Sequence, residues 1–361
     1  NLVLRKSRKI KSEYNQVIIL WDKLSEHDVF RTSTTEFSRF LRIWWASCER
    51  IVRGKGFFKQ FRKSTFLARN KPLRAVKELV AAAENYEKLV DPKDIHWKRS
   101  RDDREIYFAL KRMRRLGLKT VHPLLLAAMN SPAIRNMSLL RQIVLITEAN
   151  SFIKIVLNKE SAAPLEIDYS ELAIKITKKK ITGKKTVALL KSWLRESLQD
   201  LEHYIETISF EDNNATASYI LWRILKDKQR SDVLADTLDT KSLTLEHILP
   251  ENFPHWRDVM WTDIQHNPRL KDALSKAARA STKIALLSEY HSRLCYCIGN
   301  LALLTPDRNS SVSDFSFPNK LKVYKRYERD NWLFAHNKCV LGQSQWGERE
   351  IRARADLLAR T

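Results

Sequence analysis

The sequence predicts a mainly α fold with a small α+β part: a helical N-terminal region followed by a strand–strand–helix unit that carries a helical insertion. Three observations predict it. Only 7 Gly and 10 Pro interrupt 361 residues, and long stretches repeat their apolar residues at a period near 3.6, as helices that bury one face do. Strand-like alternation first appears at Leu243-Thr244-Leu245-Glu246-His247-Ile248-Leu249-Pro250, where Leu243, Leu245, His247 and Leu249 fall on one face and Pro250 ends the ladder. A second short apolar run, Ile298 to Thr305, opens on Gly299-Asn300-Leu301; after a polar loop, Phe317 to Tyr327 has helical spacing. On this reading residues 1–160 are a basic helical region, 241–361 the strand-bearing domain, and 161–240 a linker with helices that pack on that domain.

Helical spacing begins near the N-terminus. Residues 5–30 place Tyr14, Val17, Ile18, Leu20, Trp21 and Leu24 at such spacing. Ser33-Thr34-Thr35-Glu36 offers a capping signature before Phe37, Phe40, Leu41, Trp44 and Trp45. A Gly54-Lys55-Gly56 break precedes Phe57 to Phe61, and residues 72–90 form an amphipathic face through Leu73, Val76, Leu79, Val80, Ala83 and Tyr86. Arg99 to Lys119 is dense in cations around Ile106, Tyr107, Leu110 and Met113, so Arg112 and Arg115 are expected either at phosphates or on a solvated face. Residues 121–158 read as two helices split at Ser131-Pro132, and Lys159 to Ser170, with Ala162-Ala163-Pro164, as a linker.

A second basic cluster, Lys178, Lys179 and Lys180 with Lys184 and Lys185, surrounds Gly183 and suits either a phosphate backbone or a solvated turn. Val187, Leu190, Leu194, Leu198, Leu201, Ile205 and Ile208 then predict one continuous helix, and Ala215 to Lys226 another. Between the two strands, Trp256 to Tyr296 reads as a largely helical insertion, and residues 346–360 as a closing helix.

The formal charge is +23 with a pI near 9.9, which favours a polyanionic partner, nucleic acid first. The excess is uneven: residues 241–361 hold 19 Lys+Arg against 13 Asp+Glu, a net +6, and residues 1–240 hold 46 against 29, a net +17. Asn1 to Lys11 is charged with no apolar region behind it, so no signal peptide is expected. No run of about 18 apolar residues suits a membrane span. The four cysteines, Cys48, Cys295, Cys297 and Cys339, are spaced too irregularly for a disulfide framework, and a reduced cytoplasm is the expected setting. A lone Cys-x-Cys at 295 and 297 reads as buried thiols rather than a metal site.

Strand, strand and helix with His247, Asn300 and Asn309 at the joints is a nuclease-like pattern. Leu245-Glu246-His247-Ile248-Leu249-Pro250, Ile298-Gly299-Asn300-Leu301-Ala302-Leu303-Leu304, Asn309 and Lys320 together resemble the C-terminal HNH nuclease domain of GmrSD-type bacterial restriction endonucleases, over roughly residues 185–361. Trp346, Ile351 and Arg354 resemble the closing pattern of such domains. Trp21 to Leu24, Phe40 to Trp44 and Phe57 to Phe61 resemble the helical region that joins the family's two catalytic domains. The ParB-like domain that begins full-length members, with an Asp-Gly-Gln-Gln-Arg type motif for nucleotide hydrolysis, has no counterpart here. That domain is expected either on a separate polypeptide or on a part of the protein outside this sequence.

The resemblance implies a ββα-metal (HNH) fold and a metal-dependent DNA endonuclease or nickase of an anti-phage restriction system, acting on modified phage DNA. His247, neutral near pH 7, would take the proton of the attacking water as general base. Asn300, grouped with His247 in the catalytic set, would hold the connecting loop and orient the histidine. A Mg²⁺ or Mn²⁺ ion, which needs only one or two protein oxygens besides water, would sit at Asn309 and Glu246. Glu246 carries a geometric objection, since neighbours on a regular strand point to opposite faces, and its alternative is a structural carboxylate. Lys320 would contact phosphate. Two other readings stay open: a non-catalytic nucleic-acid-binding or assembly module of a multi-domain defence protein, and a ribonuclease on the same scaffold.

Overall fold

The computed structural model describes residues 11–27, 30, 34–49, 51, 56–63, 72–97, 100–199, 201, 205, 208–228, 243–252, 264, 267–312, 314–329 and 335–360. The chain forms two compact units, Asn1–Ser197 and Leu198–Thr361.

The first unit is built from α1 (Lys11–Ser25), α2 (Thr34–Cys48), α3 (Gly56–Lys63), α4 (Pro72–Val90), α5 (Arg101–Arg115), α6 (His122–Asn130), α7 (Met137–Ser151), α8 (Ala162–Thr177) and α9 (Gly183–Ser197). Residues repeating at three and four fill its core: Phe40 and Trp44 on α2, Val76, Leu79, Ala83 and Tyr86 on α4, and Ile106, Leu110 and Met113 on α5. Ser100 caps α5 by accepting from the Asp103 N–H at 3.1 Å. α7 runs on into a π-helical turn at Phe152–Leu157. The end of α8 explains a lysine cluster: Lys179 takes φ 54°, and the Lys180 N–H returns to the Lys175 carbonyl at 2.8 Å. This is a Schellman closure whose terminal carbonyls favour cations.

The second unit contains α10 (Asn214–Lys228), β1 (Thr244–His247), α11 (Pro268–Lys276), α12 (Ala280–Cys295), β2 (Leu301–Leu304), α13 (Pro306–Val312), α14 (Phe317–Arg329) and α15 (Glu348–Ala359). β1 and β2 pair antiparallel, with Thr244 opposite Leu304 and His247 opposite Leu301. All four residues of β2 are buried, and α10 packs on the sheet. Ile248, Tyr290, Leu304, Tyr324, Trp346 and Ile351 belong to the core around it. α15 lies on the 3₁₀ turn Ile298–Asn300. Gly299 permits that approach, because a Cβ there would stand 1.9 Å from the Ile351 carbonyl oxygen.

The mainly helical class is as the sequence predicts, and several boundaries differ. Ser161 caps α8, so the expected linker is the helix Ala162–Thr177, and the chain divides instead between Ser197 and Leu198. The continuous helix expected through Ile208 stops at Ser197, and Ile208 is not helical. The polar loop after β2 holds α13, whose first-turn Pro306 suits a helix start. Within the insertion, α11 and α12 are helical as expected; residues 253–263 lie outside the described residues, as do Ser33 and Gly54. Among the described residues no helix is long and apolar enough to cross a membrane.

Candidate active site

The alternation read from Leu243 to Leu249 predicts Leu245 and His247 on the core face. Within β1 the structure reverses it: Glu246 is the buried residue, and Leu245 and His247 keep part of their surface, whereas Leu243 and Leu249 on either side of the strand are buried. A carboxylate goes inward only where something neutralises it. α14 supplies that partner, since its inner face is Phe317, Lys320, Tyr324 and Tyr327. Lys320 Nζ donates to Glu246 Oε1 at 2.6 Å and to the His247 carbonyl oxygen at 2.7 Å. The Tyr324 hydroxyl donates to the same Oε1 at 2.8 Å. Burial pushes the Glu246 carboxyl up and the Lys320 ammonium down, each toward neutrality, and the charge of the other opposes it. Lys320 is 0% exposed and meets Glu246 rather than solvent, away from the phosphate expected of it.

Asn300 is a clamp with four bonds, also at 0% exposure. Its Oδ1 accepts from the Leu249 N–H at 2.7 Å and from Trp346 Nε1 at 2.9 Å. Its Nδ2 donates to the carbonyls of Leu249 and Cys295, both at 2.9 Å. Two donors and two acceptor sites are the full capacity of the amide, so all four of its bonds go to fixing the segment that leaves β1 and its surroundings. Arg354 completes this frame, donating to the carbonyls of Gly299 and Leu301 at 2.6 and 2.8 Å. The Cys295 Sγ lies 3.4 Å from the Leu249 carbonyl, and burial raises its thiol pKa, as fits an inert packed thiol.

His247 stands at the end of the strand that this frame holds. Burial pulls its ring below the usual histidine pKa; Glu251 opposes that shift, and Lys320 and His291 add to it. A lowered pKa leaves the imidazole neutral at pH 7, the form that accepts a proton. Its Nε2 is buried without a hydrogen bond, 3.7 Å from Glu251 Oε1. Glu251 and Tyr296 are the neighbours that the motif reading missed, although Glu251 directly follows the proline that ends the strand. His291 sits close by, its Nε2 3.0 Å from the Pro250 carbonyl.

Asn309, on α13, donates from Nδ2 to the Leu245 carbonyl at 2.8 Å, which ties α13 to β1 and orients the amide oxygen away from that bond. Among the described residues no three His, Cys, Asp or Glu side chains gather at a metal-binding distance.

The basic residues outside this unit divide by burial. Arg112 is turned inward: Nε and Nη2 meet Glu148 Oε1 and Oε2 at 2.6 and 2.8 Å. Arg115, Lys178, Lys179 and Lys180 are exposed on the N-terminal unit, with Lys178 3.5 Å from Glu49.

Residues 196–361, the part of the chain that holds this site, match the family model described as GmrSD restriction endonucleases, C-terminal domain. No curated protein matches the chain.

Proposed function

We propose that the C-terminal unit hydrolyses phosphodiester bonds of DNA, as a restriction endonuclease or nickase with His247 as general base. The match over residues 196–361 to the C-terminal domain of restriction endonucleases supports the substrate class. The observation that carries the chemistry is a neutral histidine at a strand end whose backbone is fastened at both sides: Lys320 holds the His247 carbonyl and Asn300 holds Leu249. Such fastening keeps a base in line with a water and costs no reorganisation during the reaction.

Asn309 donates its NH₂ to Leu245, so its other end is an amide oxygen, a donor that a hard cation accepts. Glu246 is assigned to Lys320 and Tyr324, which makes it the structural carboxylate rather than a ligand. That leaves one amide oxygen, so a Mg²⁺ or Mn²⁺ at Asn309 would be held mostly by water and by the phosphate of the substrate. Such an ion, when bound, neutralises charge that develops on the phosphate. His247 takes the water proton, and Arg115 with Lys178 to Lys180 on the N-terminal unit adds non-specific attraction for the duplex. A bacterial cytoplasm, where modified phage DNA would be met, fits a reduced-cysteine protein of this kind.

Purified chain with Mg²⁺ or Mn²⁺ is expected to nick supercoiled plasmid, and His247→Ala to abolish nicking. Retained nicking in that variant overturns the base. Salt-sensitive DNA binding without cleavage in either protein supports instead the binding or assembly module, which the pairing of Glu246 with a lysine favours. Side-by-side incubation with RNA separates a ribonuclease.

A further inference from the structure

The loop that leaves β1 returns a carboxylate to the histidine. Glu251 is 56% exposed at its side chain, yet its Oε1 is placed from two directions. The Tyr296 hydroxyl donates to that oxygen at 3.0 Å. The Tyr296 ring also stands edge-on to the His247 imidazole, with centroids 5.5 Å apart and planes at 87°. Tyr296 is anchored in turn: its carbonyl accepts from the Phe210 N–H at 3.0 Å, and its N–H donates to the Ser292 carbonyl at 3.1 Å. His247 Nε2 faces the carboxylate across 3.7 Å and, although buried, makes no hydrogen bond. A buried polar atom without a partner asks for an explanation. Hydrogen bonds of catalytic groups are often long before substrate arrives.

A neutral imidazole carries one N–H and one lone pair, and a lone pair aimed at a carboxylate oxygen is repelled. We infer that Glu251, held by Tyr296, fixes His247 as the Nε2–H tautomer and leaves Nδ1 as the atom that takes a proton from water. The inference rests on the nuclease reading above and makes Glu251 a positioning residue. In the step it serves, the water oxygen forms a bond to phosphorus as its proton passes to Nδ1. The bond from phosphorus to the leaving oxygen breaks, and that oxygen is protonated from solvent. The Nε2 proton stays on the ring and faces Glu251, which stabilises the imidazolium while it exists.

Nitrogen-15 spectra of the full chain, labelled at histidine and assigned by difference from His247→Ala, test this without any need for turnover. Wild type is expected to show the proton on Nε2. Glu251→Ala is expected to transfer a measurable share of it to Nδ1 and to lower kcat for plasmid nicking about 10- to 100-fold, with KM for DNA unchanged, the range typical of groups that orient a histidine. Tyr296→Phe, which keeps the carboxylate and frees it, is expected to fall between the two. A wild-type proton on Nδ1, or a tautomer unmoved in Glu251→Ala, overturns the inference, as does a loss of nicking with the tautomer intact. If no variant nicks, the nuclease reading fails and the tautomer alone decides the role of Glu251.

Discussion

In the N-terminal unit Arg112 meets Glu148 fork to fork with two parallel bonds, at 2.6 and 2.8 Å. In the C-terminal unit Lys320 reaches Glu246 at 2.6 Å and gives a second proton to the His247 carbonyl at 2.7 Å. Both pairs are buried, with side-chain exposures of 9% and 1% in the first and 1% and 4% in the second. The guanidinium pair joins α5 to α7. The ammonium has three protons to place and joins α14 both to a side chain and to the backbone that carries the site histidine. One pair holds a fold together, and the other also holds the backbone of His247, the proposed general base.

Removing one partner should therefore cost each unit similarly and activity unequally. Arg112→Met and Lys320→Met each leave a buried carboxylate without its cation and should cost about 3–5 kcal/mol, read from the denaturant midpoint. The double Arg112→Met/Glu148→Leu should recover most of that loss, since an apolar pair of similar volume removes the desolvation cost; Lys320→Met/Glu246→Leu should recover less, because the Tyr324 hydroxyl and the His247 carbonyl lose their partners. Nicking should survive in the first double and stay depressed in the second, because the His247 carbonyl has lost its donor. Full nicking in the second double would separate the pair from the site.

These two cations also mark the limit of the sequence reading. Apolar periodicity locates α4, α5 and α14 well, because burial of one face is a local property of spacing. Who neutralises a buried charge is not local: Glu148 lies 36 residues from Arg112, and Glu246 lies 74 from Lys320. A signal for Lys320 was present, since it falls between Phe317 and Tyr324 on the apolar face of α14. For Glu246 the alternation of Leu245 and His247 pointed the wrong way. Asn300 is legible as a joint residue, but the Trp346 that bonds it lies 46 residues on, in the loop before α15. Glu251 carried no motif, and only the path of the loop brings it to His247.

A second contrast between the units concerns glycine. At Gly299 a Cβ would meet the Ile351 carbonyl oxygen at 1.9 Å and the Ala355 nitrogen at 2.9 Å, both backbone atoms of α15. Gly117 has open space around it and a φ of +69°. Gly299→Ala should therefore cost about 3 kcal/mol, because a helix must move, and should disturb nicking through the adjacent Asn300. Gly117→Ala should cost about 1–2 kcal/mol of left-handed backbone strain with nicking intact. Equal losses would mean that α15 gives way freely.

The smallest effect expected concerns acid. His122 opens α6 with Nδ1 buried and unbonded, and burial, then Lys119 and Arg39, lower its pKa from 6.5 to about 4. A helix N-terminus disfavours a cation as well. Because the folded pKa lies below the unfolded one, the unfolded chain binds the proton first as pH falls. Stability is then intact above 6.5 and lost progressively toward 4, by about 1.4 kcal/mol at pH 5.5. His122→Phe should remove that share of the pH dependence of the melting midpoint. In the C-terminal unit burial also lowers the pKa of His291, against the bond to the Pro250 carbonyl and the charge of Glu251. An acid sensitivity unchanged by His122→Phe but removed by replacing His291 would therefore locate the weaker unit at the site rather than in the helical scaffold.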